Sequence, residues 1–207
     1  MKDILNALRF NFILVKPYLR YYLLGFVVVF FFKIMGSEID AVSFMLFMLL
    51  STHLYPFQLE EKNDLYRLYG IAPIKRSVLI FGRYLFIVVI SLIDWLLAMM
   101  MEYAFSKSTI IISDYLISSL FIFSIFLILT AFEIPGLYKL GVIKGRWIVY
   151  VPLVLMFIIV FLADAFQILE SAMHWITANF WLVPTVTIIV LSLSISLSVR
   201  IFNQKEF

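Results

Sequence analysis

The long apolar runs decide what this chain can become. From residue 74 to 104 the sequence stays predominantly apolar for about 30 residues, roughly 45 Å of α-helix, against a hydrocarbon core of roughly 30 Å. Comparable runs occupy residues 18–34, 41–56, 114–133, 147–163 and 180–199. Each approaches the roughly 20 residues that cross a bilayer as a helix, whereas a membrane β-barrel would read as short alternating segments. With 64% hydrophobic residues and a mean hydropathy of +1.07 over 207 residues, little polar sequence remains from which to build a soluble domain. The expected fold is a single all-α, polytopic membrane domain over residues 1–207 with six transmembrane helices.

Punctuation between the runs sets their expected limits. Residues 1–16 put Ile4, Leu8, Phe12 and Val15 on one helical face and Lys2, Asn6, Arg9 and Lys16 on the other. That pattern reads as an amphipathic interfacial helix, broken from the first span by Pro17. A charged start before an apolar run also resembles a leader, but no small-residue cleavage site follows, so the segment is expected to stay attached. Residues 33–40 read as a short turn and 106–113 as a polar loop. Ile134-Pro135-Gly136 reads as the end of the fourth span, with a loop over 137–146. Residues 166–179 are too short to cross twice and too apolar for a plain loop, which suits short extracellular or re-entrant helices. With the N-terminus inside, only Lys33 and Lys107 of the 16 Lys and Arg fall on the outer side. The positive-inside rule therefore places both termini in the cytoplasm.

The most densely charged stretch lies between the second and third spans. Glu60, Glu61 and Asp64 would suit the first turn of a short helix, with Arg67 three residues after Asp64. Leu65, Leu68 and Ile71 give such a helix an apolar stripe. Tyr66 and Tyr69 add amphipathic rings suited to a headgroup layer or to a groove on a partner protein. Gly70 and Pro73 end it and start the third span. An ordinary cytosolic loop would also carry charge, but an amphipathic, aromatic helix over residues 58–72 followed by an abrupt turn reads better as a docking element.

Catalytic signatures are missing. No His-Glu-x-x-His, Gly-x-Ser-x-Gly or dinucleotide loop occurs, and Gly136-Leu-Tyr-Lys-Leu-Gly141 lacks the Lys and Ser or Thr of a phosphate loop. Zero cysteines exclude disulfides and thiolate sites, two histidines near opposite faces make a metal site unexpected, and the scattered basic residues form no nucleic-acid surface. Charges inside the spans cost about 2.5–3.5 kcal/mol at a helix centre and tend to face a bundle interior or cavity. Asp94 lies in the outer half of the third span, Glu133 at the cytoplasmic end of the fourth and Asp164 near the outer end of the fifth. Asp94 reads either as lining a translocation path or as a structural hydrogen-bonding group. Glu133 and Asp164 read as interfacial, with Glu133 kept beside Asp94 as a possible path residue.

The layout, with Glu61-Lys62-Asn63, the turn Tyr69-Gly70-Ile71-Ala72-Pro73-Ile74-Lys75-Arg76 and Phe81-Gly82-Arg83-Tyr84, resembles the ABC-2-type transporter permeases. It resembles especially the small six-span group that includes membrane subunits of phenol-soluble modulin exporters. In that group the turn usually reads Leu-Pro-Ile-x-Arg, and here Ala72 replaces the leucine. The resemblance implies a bacterial plasma-membrane permease, itself not an enzyme, that pairs with a second copy or a paralogue. It implies a separate ATPase subunit holding ATP and Mg, gripped through Glu60, Glu61, Asp64, Leu65, Tyr66, Arg67, Leu68, Tyr69 and Pro73. This chain would need no cofactor of its own, and the substrate would be an amphipathic or hydrophobic peptide, lipid or drug. Two other classes stay open at this stage: an ATP-independent ion- or proton-coupled carrier with Asp94 and Glu133 as relay, and a non-transporting membrane immunity or scaffold protein.

Overall fold

The computed structural model describes residues 2–36, 40–63, 65, 75–105, 112–165 and 178–204. Within them the chain is helical, with no strand. The helices are α1 (Lys2–Ile34), α2 (Ala41–Thr52), α3 (Tyr55–Lys62), α4 (Arg76–Phe105), α5 (Ile112–Ala165) and α6 (Leu182–Asn203). Five helical stretches, Asp3–Ile34, Ala41–Lys62, Arg76–Phe105, Tyr115–Gly145 and Leu182–Asn203, are long and apolar enough to cross a membrane. The second limb of α5, where a fifth span is expected at 147–163, is helical as far as Ala165. Residues 166–177, expected as short extracellular helices, lie outside the described residues.

Two prolines do not act as sequence reading expects. Pro17 sits inside α1, so residues 2–16 form no separate interfacial helix but the first half of one 33-residue helix. Its inward face is Ala7, Asn11 and Val15, four residues apart, while Leu5, Phe12 and Ile13 stay exposed. Next to the proline, Tyr18 stacks on Tyr55 of α3, with ring centroids 3.8 Å apart and planes 8° off parallel. The N-terminal half is then pressed on α4 at a point with room only for hydrogen: a Cβ on Gly82 would lie 2.6 Å from the Ala7 Cβ. Small residues at such crossings let membrane helices approach closely.

Pro135 likewise lies within α5, which continues through Ile134-Pro135-Gly136 instead of ending there and occupies the expected loop at 137–146. A proline has no N–H to give the carbonyl four residues earlier, here Ala131. That carbonyl is satisfied from another helix: the Ser194 hydroxyl on α6 donates to it at 2.5 Å. Having given up its proton, Ser194 can accept from the Tyr84 hydroxyl of α4 at 2.6 Å, and Tyr84 also meets Ser198 at 2.8 Å. A three-helix hydroxyl chain thus repairs the gap, as apolar surroundings require of any freed backbone group. Ser194→Ala should destabilise the chain by about 1–2 kcal/mol, since it leaves a buried carbonyl bare. Adding Pro135→Ala, which restores the intrahelical bond, should recover much of that loss. A double-mutant cycle on unfolding in detergent micelles checks this, and additive losses would show that Ser194 acts for another reason.

The break in α5 comes instead at Gly141, whose φ of 73° and ψ of 175° is a conformation open essentially only to glycine. The second expected span also runs on. After a turn at His53 and Leu54, α3 starts with Pro56 in its first turn, where the missing N–H costs nothing, and continues to Lys62. Residues 58–62, expected as the start of a free cytosolic helix, are therefore the final turn of a helix packed in the bundle.

Packing follows directly. On α4 the buried stripe runs through Ile80, Arg83, Ile87, Ser91, Asp94, Ala98 and Met101, so its charges point inward. On α6, Thr187, Ser194, Ser198 and Phe202 face in, while Ile188, Ile189, Leu193 and Leu197 face out. The exposed faces of α1 carry Leu23, Leu24, Val27 and Phe31. An apolar surface this continuous suits lipid as solvent. At the end of the bundle remote from the termini, Lys33 pairs with Glu102 at 2.6 Å, and Glu102 also accepts the Ala41 N–H at 2.6 Å. Asp40 caps α2 through the Ser43 N–H and accepts the Tyr115 hydroxyl. The turn expected at 33–40 is thus bracketed by polar ties among four helices.

Candidate functional site at the root of the charged segment

At the termini end, five helices meet around Arg83. Its guanidinium makes a bidentate pair with Glu60 of α3, through Nη1 to Oε2 at 2.7 Å and through Nη2 to Oε1. Its Nε donates to Asn11 Oδ1 of α1 at 3.0 Å, and Asn11 in turn donates to the Ala7 carbonyl at 2.8 Å. The planar fork of arginine matches a carboxylate edge to edge, which lysine cannot do. Its flat face is used too: it lies 4.3 Å from the ring centroid of Phe57 and 5.9 Å from that of Tyr138. Tyr138 packs edge-on against Phe57 and against Phe202 of α6. Arg83 and Glu60 are both buried, so charge, donors and ring faces are satisfied away from water.

Glu61, the next residue, reaches the kink. Its Oε2 accepts the Val142 N–H at 2.6 Å, the first amide after Gly141. A new helical limb begins there with unpaired N–H groups and a positive dipole end, both of which favour a carboxylate. Consecutive acids therefore hold separate helices: Glu60 binds α4 through Arg83, which also holds Asn11 of α1, and Glu61 binds the second limb of α5. Both stand at the root of the charged segment, turned inward. Leu65 is half-buried. Asp64, Tyr66, Arg67, Leu68, Tyr69 and Pro73 lie outside the described residues. The segment returns at Lys75 and Arg76, with Arg76 donating to the Asn203 carbonyl at 3.5 Å.

The two expected path residues are differently placed. Asp94 is 2% exposed, and neither carboxyl oxygen has a hydrogen-bond partner among the described residues. Glu133 does not reach water, contrary to what its place before Ile134-Pro135-Gly136 suggests. It is wholly buried, towards the kink end of the first limb of α5, and contacts His53 of α2, Oε2 to Nε2, at 2.8 Å. Sequence reading expected His53 near a membrane face and gave it no partner. Nothing local predicts the pair, because its members are 80 positions apart. The signal was present only in the kind of residue, an ionisable group inside an apolar run, which has to find company. Arg83, in sequence one of the inner-side cations and part of the Phe81-Gly82-Arg83-Tyr84 motif, likewise shows no partner until the helices are packed. The side chain of Asp164 is not among those described.

A multi-pass helical bundle with polar staples inside and an apolar exterior is a membrane protein by construction. The chain belongs to the family described as ABC-2 family transporter protein, which it matches over residues 8–203. No curated protein and no solved structure matches it. Membership makes it a permease-type component of an ABC transporter, a class of membrane subunit that is typically non-catalytic and works with an ABC ATPase subunit.

Proposed function

We propose that this chain is the permease of an ATP-binding-cassette exporter that moves an amphipathic or hydrophobic substrate, such as a peptide, lipid or drug, across the bacterial plasma membrane. It acts with a second permease copy or a paralogue. A separate ATPase subunit holds ATP and Mg and docks on the segment between α3 and α4, at Asp64, Leu65, Tyr66, Arg67, Leu68, Tyr69 and Pro73. Both termini lie in the cytoplasm, on the same side as that segment.

The observation that carries this reading is the root of the segment. Glu60 and Arg83, one on each side of residues 64–74, pair as a clamp, and Asn11 and Glu61 extend the clamp to α1 and α5. A displacement of the segment by a closing ATPase then moves four helices together instead of being lost in a flexible loop. Glu60 and Glu61 thus serve coupling as its inner anchor, and residues 64–73 as its outer contact. Asp94, buried within the helix that leaves the clamp, lies on the route by which substrate would pass.

Exchange of Tyr66, Leu68 and Tyr69 together for alanine should cut recovery of the ATPase with the tagged permease at least about tenfold, the loss expected when a docking cluster is truncated. The permease's own unfolding should not change, because the clamp is untouched. Unchanged co-purification and export would overturn the docking assignment.

A further inference from the structure

We propose that His53 and Glu133 form a proton-binding site inside the bundle, holding one proton between imidazole and carboxylate, so that the contact between α2 and α5 depends on pH.

The geometry leaves few ways to arrange the pair. His53 Nε2 and Glu133 Oε2 stand 2.8 Å apart, with side chains 1% and 0% exposed. Nδ1 of His53 lies 3.4 Å from the Leu49 carbonyl, which can only accept, so the ring proton of a neutral imidazole belongs on Nδ1. The Nε2 lone pair would then face a carboxylate oxygen at contact distance in an apolar interior, two acceptors with no hydrogen between them. One added proton removes the conflict, either on Nε2, giving an ion pair, or on Oε2, giving a neutral acid donating to imidazole. Glu133 Oε1 has no hydrogen-bond partner among the described residues, so no other donor relieves the carboxylate.

Neighbouring helices offer little competition. On α4, Arg83 is committed to Glu60 of α3, Glu102 to Lys33 of α1, and Tyr84 to the α6 serines. On α5, Tyr115 is committed to Asp40 at the start of α2, and Tyr138 stacks in the Arg83 cluster. That leaves Asp94 and the Trp95 indole N–H of α4 and the Tyr22 hydroxyl of α1 as the other inward groups without a hydrogen-bond partner among the described residues.

The position gives the proton a consequence. His53 caps α2 at the joint with α3, and α3 leads into the clamp at Glu60 and Glu61. Loss of the proton to water turns the His53–Glu133 contact from attractive to repulsive and loosens α2 and α3 from α5.

The chain has two histidines, so His174→Asn leaves His53 as the sole imidazole. In full-length chain labelled with nitrogen-15 histidine and reconstituted in lipid nanodiscs at about pH 7, where an ordinary imidazole is mostly neutral, the His53 ring should report a charged or proton-sharing form. Adding Glu133→Gln should convert it to the plain neutral form, since an amide can donate to Nε2 without an extra proton. Infrared spectra of the unsubstituted chain give a second reading: a protonated-carboxyl band lost in Glu133→Gln places the same proton on oxygen and equally supports the site. The same neutral ring in both chains with no such band would overturn the proposal, as would a charged ring that ignores Glu133→Gln.

Discussion

Arg83→Met should destabilise the folded chain by about 3–5 kcal/mol, because it leaves Glu60 buried without the cation that satisfies both its oxygens. Methionine fills much of the volume, so the loss is electrostatic more than steric. Asn11 also loses the donor to its Oδ1, and the Phe57 face loses its cation, a contact worth up to about 2 kcal/mol when desolvated. Glu60→Leu together with Arg83→Met should recover most of the stability, since replacing both members of a buried pair by apolar groups is often close to neutral. Equilibrium unfolding in mixed micelles tests both variants. They part company in function: under the proposed mechanism the double variant folds and reaches the membrane but transmits ATPase closure poorly, because the clamp across residues 64–74 no longer resists being pulled open. Export by the double variant at the parent's rate would reduce the clamp to a structural element.

Much of the architecture could be read from the sequence. Apolar run length placed α4 within two residues at its start and one at its end, and located α6 and the first limb of α5, because a lipid-facing helix must be apolar for most of its length. The errors share one physical origin. Pro135 looked like a stop because the sequence nearby shows only the missing N–H, while the hydroxyl that replaces it belongs to Ser194 on another helix. Glu133 looked interfacial because a carboxylate near a proline and a glycine usually reaches water, while its partner His53 lies three helices earlier in the chain. Glu60 and Glu61 stand out in the sequence, yet the pattern that marks them, acids in the first turn of a helix, misleads. They occupy the last turn of α3 and act on Arg83 and Val142. Local periodicity finds helices in a membrane; it does not find which polar group on one helix answers which on another.

Gly141→Ala carries the other large expected effect, about 3–5 kcal/mol, from two sources that can be told apart. Alanine at φ 73° and ψ 175° carries backbone strain of about 1–3 kcal/mol. Its Cβ would also sit 3.0 Å from Glu61 Oε1 and 3.3 Å from Cδ, pushing the carboxylate off the Val142 N–H, a charge-assisted bond worth about 1.5–3 kcal/mol. Glu61→Gln isolates the second source: it keeps an acceptor oxygen for Val142 but removes the charge facing the helix dipole, and should cost about 0.5–1 kcal/mol. Glu61→Ala combined with Gly141→Ala removes the collision, so the pair should lose less than the sum of the single changes, with the backbone strain as the remainder. If the losses add, Glu61 does not hold the kink. The same comparison bears on coupling, because Glu61 links the root of the charged segment to the second limb of α5. A Glu61→Ala chain that folds, binds its ATPase and still exports at full rate would show that this limb moves without being driven from that root.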